Sequence, residues 1–235
     1  LISIFARPTI GKTWLCVKIA AVAMMHGYRT LFVTMEMPQQ EIAMRLDIVL
    51  AKMHGFNLSH TALRKGDGLN EEEYKKFLDV LKNRHLLVCD HIAQEEITLN
   101  SVKMLVRKHK PGLVVLDGIH LLGLEGGNRA IWEKMFALFY GLKSFCRSNK
   151  IACVVSTQAN RSAHNLYSPP KIKDVAFGDA LIQASDVAFS MSMREGEEKQ
   201  RVVQIQKYRD GILPAEYVVL DWDVDTGIIK ERNEL

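Results

Sequence analysis

The sequence predicts an α/β fold: a mostly parallel central sheet flanked by helices, with antiparallel strands added at the C-terminal edge. Three observations predict it. Short, nearly continuous apolar runs recur at residues 2–5, 30–33, 86–89, 113–116 and 151–155, and such runs suit strands buried on both faces of a parallel sheet. Helical patterns fill the intervals between them, which makes the crossovers right-handed. Beyond Val155 the helical signals thin out, and β-like stretches follow at residues 187–191, 202–207, 217–222 and 227–229, read as antiparallel strands on one edge.

The helices follow from spacing and end signals. Residues 12–26 carry Leu15, Ile19 and Val22 on one face and are closed by Gly27, a residue suited to a left-handed cap. Pro38, favourable in a first turn, opens the next over residues 38–55. Asn70 with Glu73 resembles a capping box for residues 70–83, and residues 98–109 and 131–148 complete the set. Residues 162–173, with Ser168, Pro169 and Pro170, read as a mobile loop. No internal repeat is present.

A chain of 235 residues, 48% hydrophobic and 25% charged, can bury roughly three quarters of its unfolded surface in one domain. The net charge of +4 neither demands nor excludes a polyanionic partner. Cys16, Cys89, Cys146 and Cys153 form no C-x-x-C pair, which suits buried thiols in a reducing, cytoplasmic setting rather than a metal site. No apolar run is long enough for a membrane span, and no secretory signal is seen. The chain enters its first strand directly from Leu1, so an upstream domain and linker are expected before it.

Residues 6–13 read A-R-P-T-I-G-K-T between a strand and a helix, the context required of a phosphate-binding loop. The expected nucleotide-binding set is Ala6, Arg7, Pro8, Thr9, Ile10, Gly11, Lys12, Thr13 and Trp14. Gly11 lets successive N–H groups face the phosphates, Lys12 brings a cation to the β and γ oxygens, and Thr13 offers a hydroxyl to Mg²⁺. Asp117 ends a buried strand where open α/β sheets bind ligands and suits a Walker B aspartate on the same Mg²⁺; taken alone it would also fit a turn before Gly118. Glu36, in T-M-E-M-P after the second strand, is the expected base for the attacking water, although a charge at a helix start would explain it too.

Taken in order, A-R-P-T-I-G-K-T, T-M-E-M-P, L-V-V-L-D, S-T-Q-A-N-R and Q-K-Y-R-D-G resemble the RecA-like motor domain of DnaB-type replicative helicases and their phage relatives. The resemblance implies ATP as fuel, a homo-hexameric ring on single-stranded DNA, and a primase or helicase loader as partner. It implies that Gln158 senses the γ-phosphate, and that Lys207 and Arg209 enter the neighbouring subunit's site, Arg209 as arginine finger. The family's central loop usually carries an Arg-Glu pair after its Asp-Leu, whereas this chain has Asp174, Val175, Ala176, Phe177 and Gly178; Lys171, Lys173 and Gly178 are the DNA-contact candidates left. Gly118 stands where the family commonly has an aromatic residue. A RecA-like recombinase filament, or a loader, regulatory or packaging ATPase without unwinding activity, would use the same nucleotide parts.

Overall fold

The structure, a computed structural model, describes residues 1–82, 86–90, 97–125, 127–128, 130–160, 165–175, 178–213 and 217–232. Among them lie the strands β1 (Ile2–Ala6), β2 (Thr30–Thr34), β3 (Leu86–Asp90), β4 (Leu113–Asp117), β5 (Ala152–Gln158), β6 (Val187–Arg194), β7 (Glu197–Tyr208), β8 (Tyr217–Asp223) and β9 (Ile228–Glu231). The helices are α1 (Lys12–Met25), α2 (Gln39–Met53), α3 (His60–Lys65), α4 (Glu71–Leu81), α5 (Leu99–His109), α6 (Ile131–Ser148) and α7 (Gly178–Ala184). The strands join into one sheet in the order β3-β2-β4-β5-β1-β6-β7-β8-β9.

Successive side chains of a strand point to opposite faces, and the central strands are apolar on both. Phe32 and Val115 face a core built on α1, α2 and α4, whereas Leu31, Val33, Val114 and Leu116 face a second core under α5, α6 and α7. Each large side chain buried in this way contributes about 1.5–3 kcal/mol, so a polar residue inside these runs would be costly. The register then does the positioning. Thr34 pairs with Asp117 and Ala6 with Gln158, which brings the carboxyl ends of β1, β2, β4 and β5 to one sheet edge.

Helix ends follow the expected chemistry in most places. Gly27 takes φ +81°, and the Tyr28 N–H donates to the Ala23 carbonyl as the chain leaves α1. Asn70 caps α4 by accepting from the Glu73 N–H at 3.1 Å. The reciprocal half of the expected box is missing, because the Glu73 carboxylate accepts from the Asn57 N–H instead. Residue 83, the expected end of this helix, and residues 162–164 of the expected loop lie outside the described residues.

One expectation needs correction. The edge after Val155 is not antiparallel throughout: β6 runs parallel to β1, with Ile2 opposite Val187, and only β7, β8 and β9 alternate in direction. The reason is α7, a seven-residue helix too short to show a clear apolar period. It returns the chain so that β6 enters the sheet the same way as β5. The six-residue α3 escaped notice on the same ground.

Cys16, Cys146 and Cys153 are buried free thiols; the Cys89 side chain lies outside the described residues. Among the described residues no helix is long and apolar enough to cross a membrane.

The β8–β9 turn reaches back onto α2 and α3. Asp225 accepts from the Ser59 hydroxyl and the Thr61 N–H, at 2.9 and 2.7 Å. Gly227, at φ +75°, sits so close to α2 that a Cβ there would lie 2.5 Å from the Ile48 carbonyl oxygen. Gly227→Ala therefore combines backbone strain with a clash against helix backbone and is expected to cost about 2 kcal/mol or more. The urea midpoint should fall without a change in m-value; an unshifted midpoint would show that the turn does not hold this position.

Candidate active site

The loop between β1 and α1 holds two left-handed residues, Thr9 at φ +69° and Gly11 at φ +113°. A β-branched residue at positive φ is strained, so the loop's shape is imposed by its surroundings. Ala6, where such loops ordinarily begin with glycine, closes β1 as a buried strand residue and needs no special backbone. Gly11 caps α1 with no side-chain hydrogen bond, and the first turn carries no acidic residue. The first N–H groups of a helix lack partners within it, so this end is left to an outside anion.

Lys12 is buried, and its Nζ lies 3.5 Å from the Ala6 carbonyl oxygen. Burial lowers its pKa, against the pull of Glu36 and Asp117 in the opposite direction. The Thr13 hydroxyl donates to one oxygen of Asp117 at 2.8 Å, and the Ser156 hydroxyl donates to the other at 2.6 Å. Ser156 in turn accepts from the Gly118 N–H at 2.8 Å. Asp117 is fully buried; burial raises its pKa, while these hydroxyl bonds work to lower it.

Glu36, half-buried after β2, reaches the same edge. Gln158 Nε2 donates to its carboxylate at 3.5 Å, and His120 Nε2 lies 3.9 Å away. Burial lowers the His120 pKa, which favours a neutral ring. Glu36 is also pressed against Gly118, whose backbone has φ +88°: a Cβ at Gly118 would come within 2.8 Å of Glu36 Cγ. The glycine that breaks the aromatic pattern is the residue that leaves room for Glu36.

Lys12, Thr13, Glu36, Asp117 and Gln158 are thus brought together. Arg7 leans across to donate to the Ala159 carbonyl at 3.3 Å, tying the loop to the residue after Gln158. Pro8 and Thr9 are exposed and Ile10 is buried. Trp14 turns its ring onto His60 and under Arg45, which leaves its backbone N–H in the first turn of α1. Lys207 and Arg209 stand elsewhere. Lys207 donates to the Ile182 and Gln183 carbonyls at the end of α7, and Arg209 to Gln183, with an ion pair to Asp186 at 3.1 Å.

Lys171 and Lys173 are exposed, the first just before and the second within the short turn Ile172–Asp174, and Gly178 opens α7. Residues 176–177 between them lie outside the described residues. This turn is pinned to the end of β5: Ala159 bridges Val175, and the Asn160 N–H donates to the Asp174 carbonyl.

A divalent ion fits this donor set. Mg²⁺ takes one or two protein oxygens and leaves its other positions to phosphate and water, and the Thr13 hydroxyl beside the Asp117 carboxylate is such a pair. Among the described residues no group of three or more His, Cys, Asp or Glu side chains is placed to hold a metal ion. Sequence reasoning gave no role to Ser156, His120, Arg201 or Trp222. Ser156 stood inside a quoted motif, but only the strand register puts its hydroxyl on Asp117.

A family model described as the DnaB-like helicase C terminal domain matches residues 1–227. A probable replicative DNA helicase of Trieres chinensis is 24% identical over 230 residues, covering 90% of this chain and 49% of that protein. The replicative DNA helicase DnaB of Treponema pallidum is 26% identical over 216 residues, covering 90% and 47%. The chain thus spans about half the length of these relatives. Among solved structures, an ATPase domain superposes with a TM-score of 0.84 at 19% identity, over 97% of this chain and 83% of that one. A DnaB-like replicative helicase solved together with a description of its interactions with primase gives 0.84 at 19%, over 97% and 56%. At such identity these two establish the fold alone, that of RecA-like helicase ATPase domains.

Gly118→Ala is expected to displace Glu36 while leaving the phosphate loop intact. Turnover of ATP should fall about 10- to 100-fold with ADP affinity within twofold of the parent. Steady-state ATPase assays beside ADP titrations check this, and an unchanged turnover would dissociate Glu36 from the hydrolytic step.

Proposed function

The chain belongs to the family of DnaB-like helicase C-terminal domains, and we propose that it is the ATP-hydrolysing motor of a replicative helicase. In this reading six copies form a ring that travels on single-stranded DNA and unwinds the duplex ahead, with a primase or loader as partner. One observation carries the proposal. Lys207 and Arg209 are anchored on α7, apart from the cluster of Lys12, Thr13, Glu36 and Asp117, so one copy offers the site and another the completing cations. Head-to-tail contacts of this kind close into rings.

Lys12 and the N–H groups at the head of α1 bind the phosphates. Thr13 and Asp117 would hold Mg²⁺, which neutralises charge on the β and γ oxygens when bound. Glu36 orients a water molecule and takes its proton as the water oxygen bonds to the γ-phosphorus and the bond from that phosphorus to the β–γ bridging oxygen breaks. Gln158 donates to one oxygen of the Glu36 carboxylate, and His120 stands beside that same oxygen. Arg209 from the next copy stabilises charge on the transferring group, an effect of about 10³- to 10⁵-fold in rate.

The same contacts give a route to the DNA. Gln158 touches Glu36, and the next residue, Ala159, bridges Val175 beside the turn bearing Lys171 and Lys173. Loss of the γ-phosphate is thereby passed to a basic, exposed segment suited to a nucleic-acid backbone.

Mixtures of subunits at a fixed total concentration provide the test. The informative mixture adds Lys12→Ala subunits to Arg209→Ala subunits: each variant alone is expected to be nearly inactive, whereas the mixture should regain part of the parental ATPase, because a site with an intact Lys12 can then receive an intact Arg209 from its neighbour. A mixture as silent as its two parts would mean that each copy completes its own site.

A further inference from the structure

The outer side of the phosphate loop is braced by a strand far from it in sequence. Arg201 lies within β7 with only 8% of its surface exposed. Its Nε donates to the Ile10 carbonyl at 2.8 Å, and its Nη1 donates to the Glu198 and Gln200 carbonyls at 2.7 Å each. Its guanidinium stands 5.4 Å from the centre of the Trp222 ring. Among the described residues no carboxylate pairs with it, and burial pulls its pKa down. Burying an arginine on neutral acceptors is expensive, and here the donor it commits outside its own strand goes to the loop that precedes Lys12.

Trp222 closes the same side. Its ring lies so tightly against Gly11 that a Cβ there would be 2.5 Å from its Cζ2 atom. Ile10 and Gly11 are joined by a trans peptide, in which the carbonyl of one residue and the N–H of the next point in opposite directions. With the Ile10 carbonyl turned to Arg201, the Gly11 N–H is turned the opposite way, away from β7. The glycine that permits this turn also permits its reversal, since glycine populates both signs of φ with similar ease. A reversed peptide would aim a carbonyl oxygen at the anion.

We propose that Arg201, backed by Trp222, is a positioning residue that locks the Ile10–Gly11 peptide in the orientation that binds phosphate. The proposal rests on reading residues 6–13 as the phosphate loop. It makes the antiparallel extension part of the nucleotide site of its own subunit, acting through the backbone without touching the ligand. Without Arg201 the loop divides its time between two peptide orientations, and only one accepts a nucleotide. The apparent affinity then falls by the competent fraction, whereas the chemical step in the bound state is little changed.

The experiment compares Arg201→Met, Arg201→Lys, Trp222→Phe and Lys12→Ala with the parent chain. The readouts are calorimetric ADP titrations, KM and kcat for ATP, and thermal unfolding without nucleotide. Arg201→Met is expected to raise the ADP Kd and the ATP KM about tenfold, the effect of one hydrogen bond to a charged group, with kcat within threefold. Arg201→Lys, which keeps a donor but not the fork, should recover part of the affinity. A folded Arg201→Met protein whose Kd and KM stay within twofold of the parent overturns the proposal, even if its unfolding temperature drops. Should that variant fail to fold, Arg201→Lys and Trp222→Phe decide, each being expected to raise Kd severalfold; parental values in both overturn it. Lys12→Ala separates the two readings: if it binds ADP like the parent, the phosphate loop itself is misread, whereas its failure to bind beside a normal Arg201→Met sinks only the brace.

Discussion

A buried charge must be matched, and at this sheet edge the most deeply buried one is Asp117. Its carboxylate sits at zero exposure at the end of a central strand, held by two hydroxyls that come from different elements. An ionised group in such a place is tolerated only when its lone pairs are engaged, so Thr13 and Ser156 cannot drift independently of β4. That requirement sets the start of α1, the end of β5 and, through the Gly118 N–H on Ser156, the turn that shapes the space beside Glu36. The sheet supplies the alignment: Ala6 lies level with Gln158 and Thr34 with Asp117. Loop, acid, amide and hydroxyl therefore meet although they come from separate stretches of the chain.

What could be read from the sequence was what local periodicity and short motifs encode. Five apolar runs marked the buried parallel strands, and the G-K-T at a strand-to-helix junction marked the loop. Long helices with clear ends, such as α1 and α6, fell close to their expected bounds. The short ones did not, because α3 and α7 span fewer than two full apolar repeats, and with α7 hidden the direction of β6 was misjudged. The site was legible for residues whose chemistry is announced by a motif, Lys12, Thr13, Glu36, Asp117 and Gln158. It was opaque for those that act by touching them. Nothing in the alternation of E-E-K-Q-R-V-V distinguishes Arg201 from an ordinary exposed cation, and its value comes only from the fold that carries β7 to the back of the loop.

Gly118 and Arg209 show how departures and fixed motifs share one design. At Gly118 the chain gives up a side chain, and the volume released is taken by the Glu36 carboxylate. At Arg209 the guanidinium is kept in reserve on Asp186 and the Gln183 carbonyl. Pairs of this half-exposed kind are weak, so the guanidinium is held on its own subunit without being firmly committed there.

β7 has a property that none of the parallel strands shares. One end grips the phosphate loop of its own copy through Arg201, and the other end runs directly into Lys207 and Arg209. The two grips are eight residues apart, a distance of about 27 Å along an extended chain, with no loop between them. The register against β6 slips once on the way, at Gln206, between the pairs Phe189 with Ile205 and Ala188 with Lys207. Loop and basic tip are thus carried on one hydrogen-bonded rod, so a displacement at either end reaches the other through a single strand, past the one place where its pairing changes step.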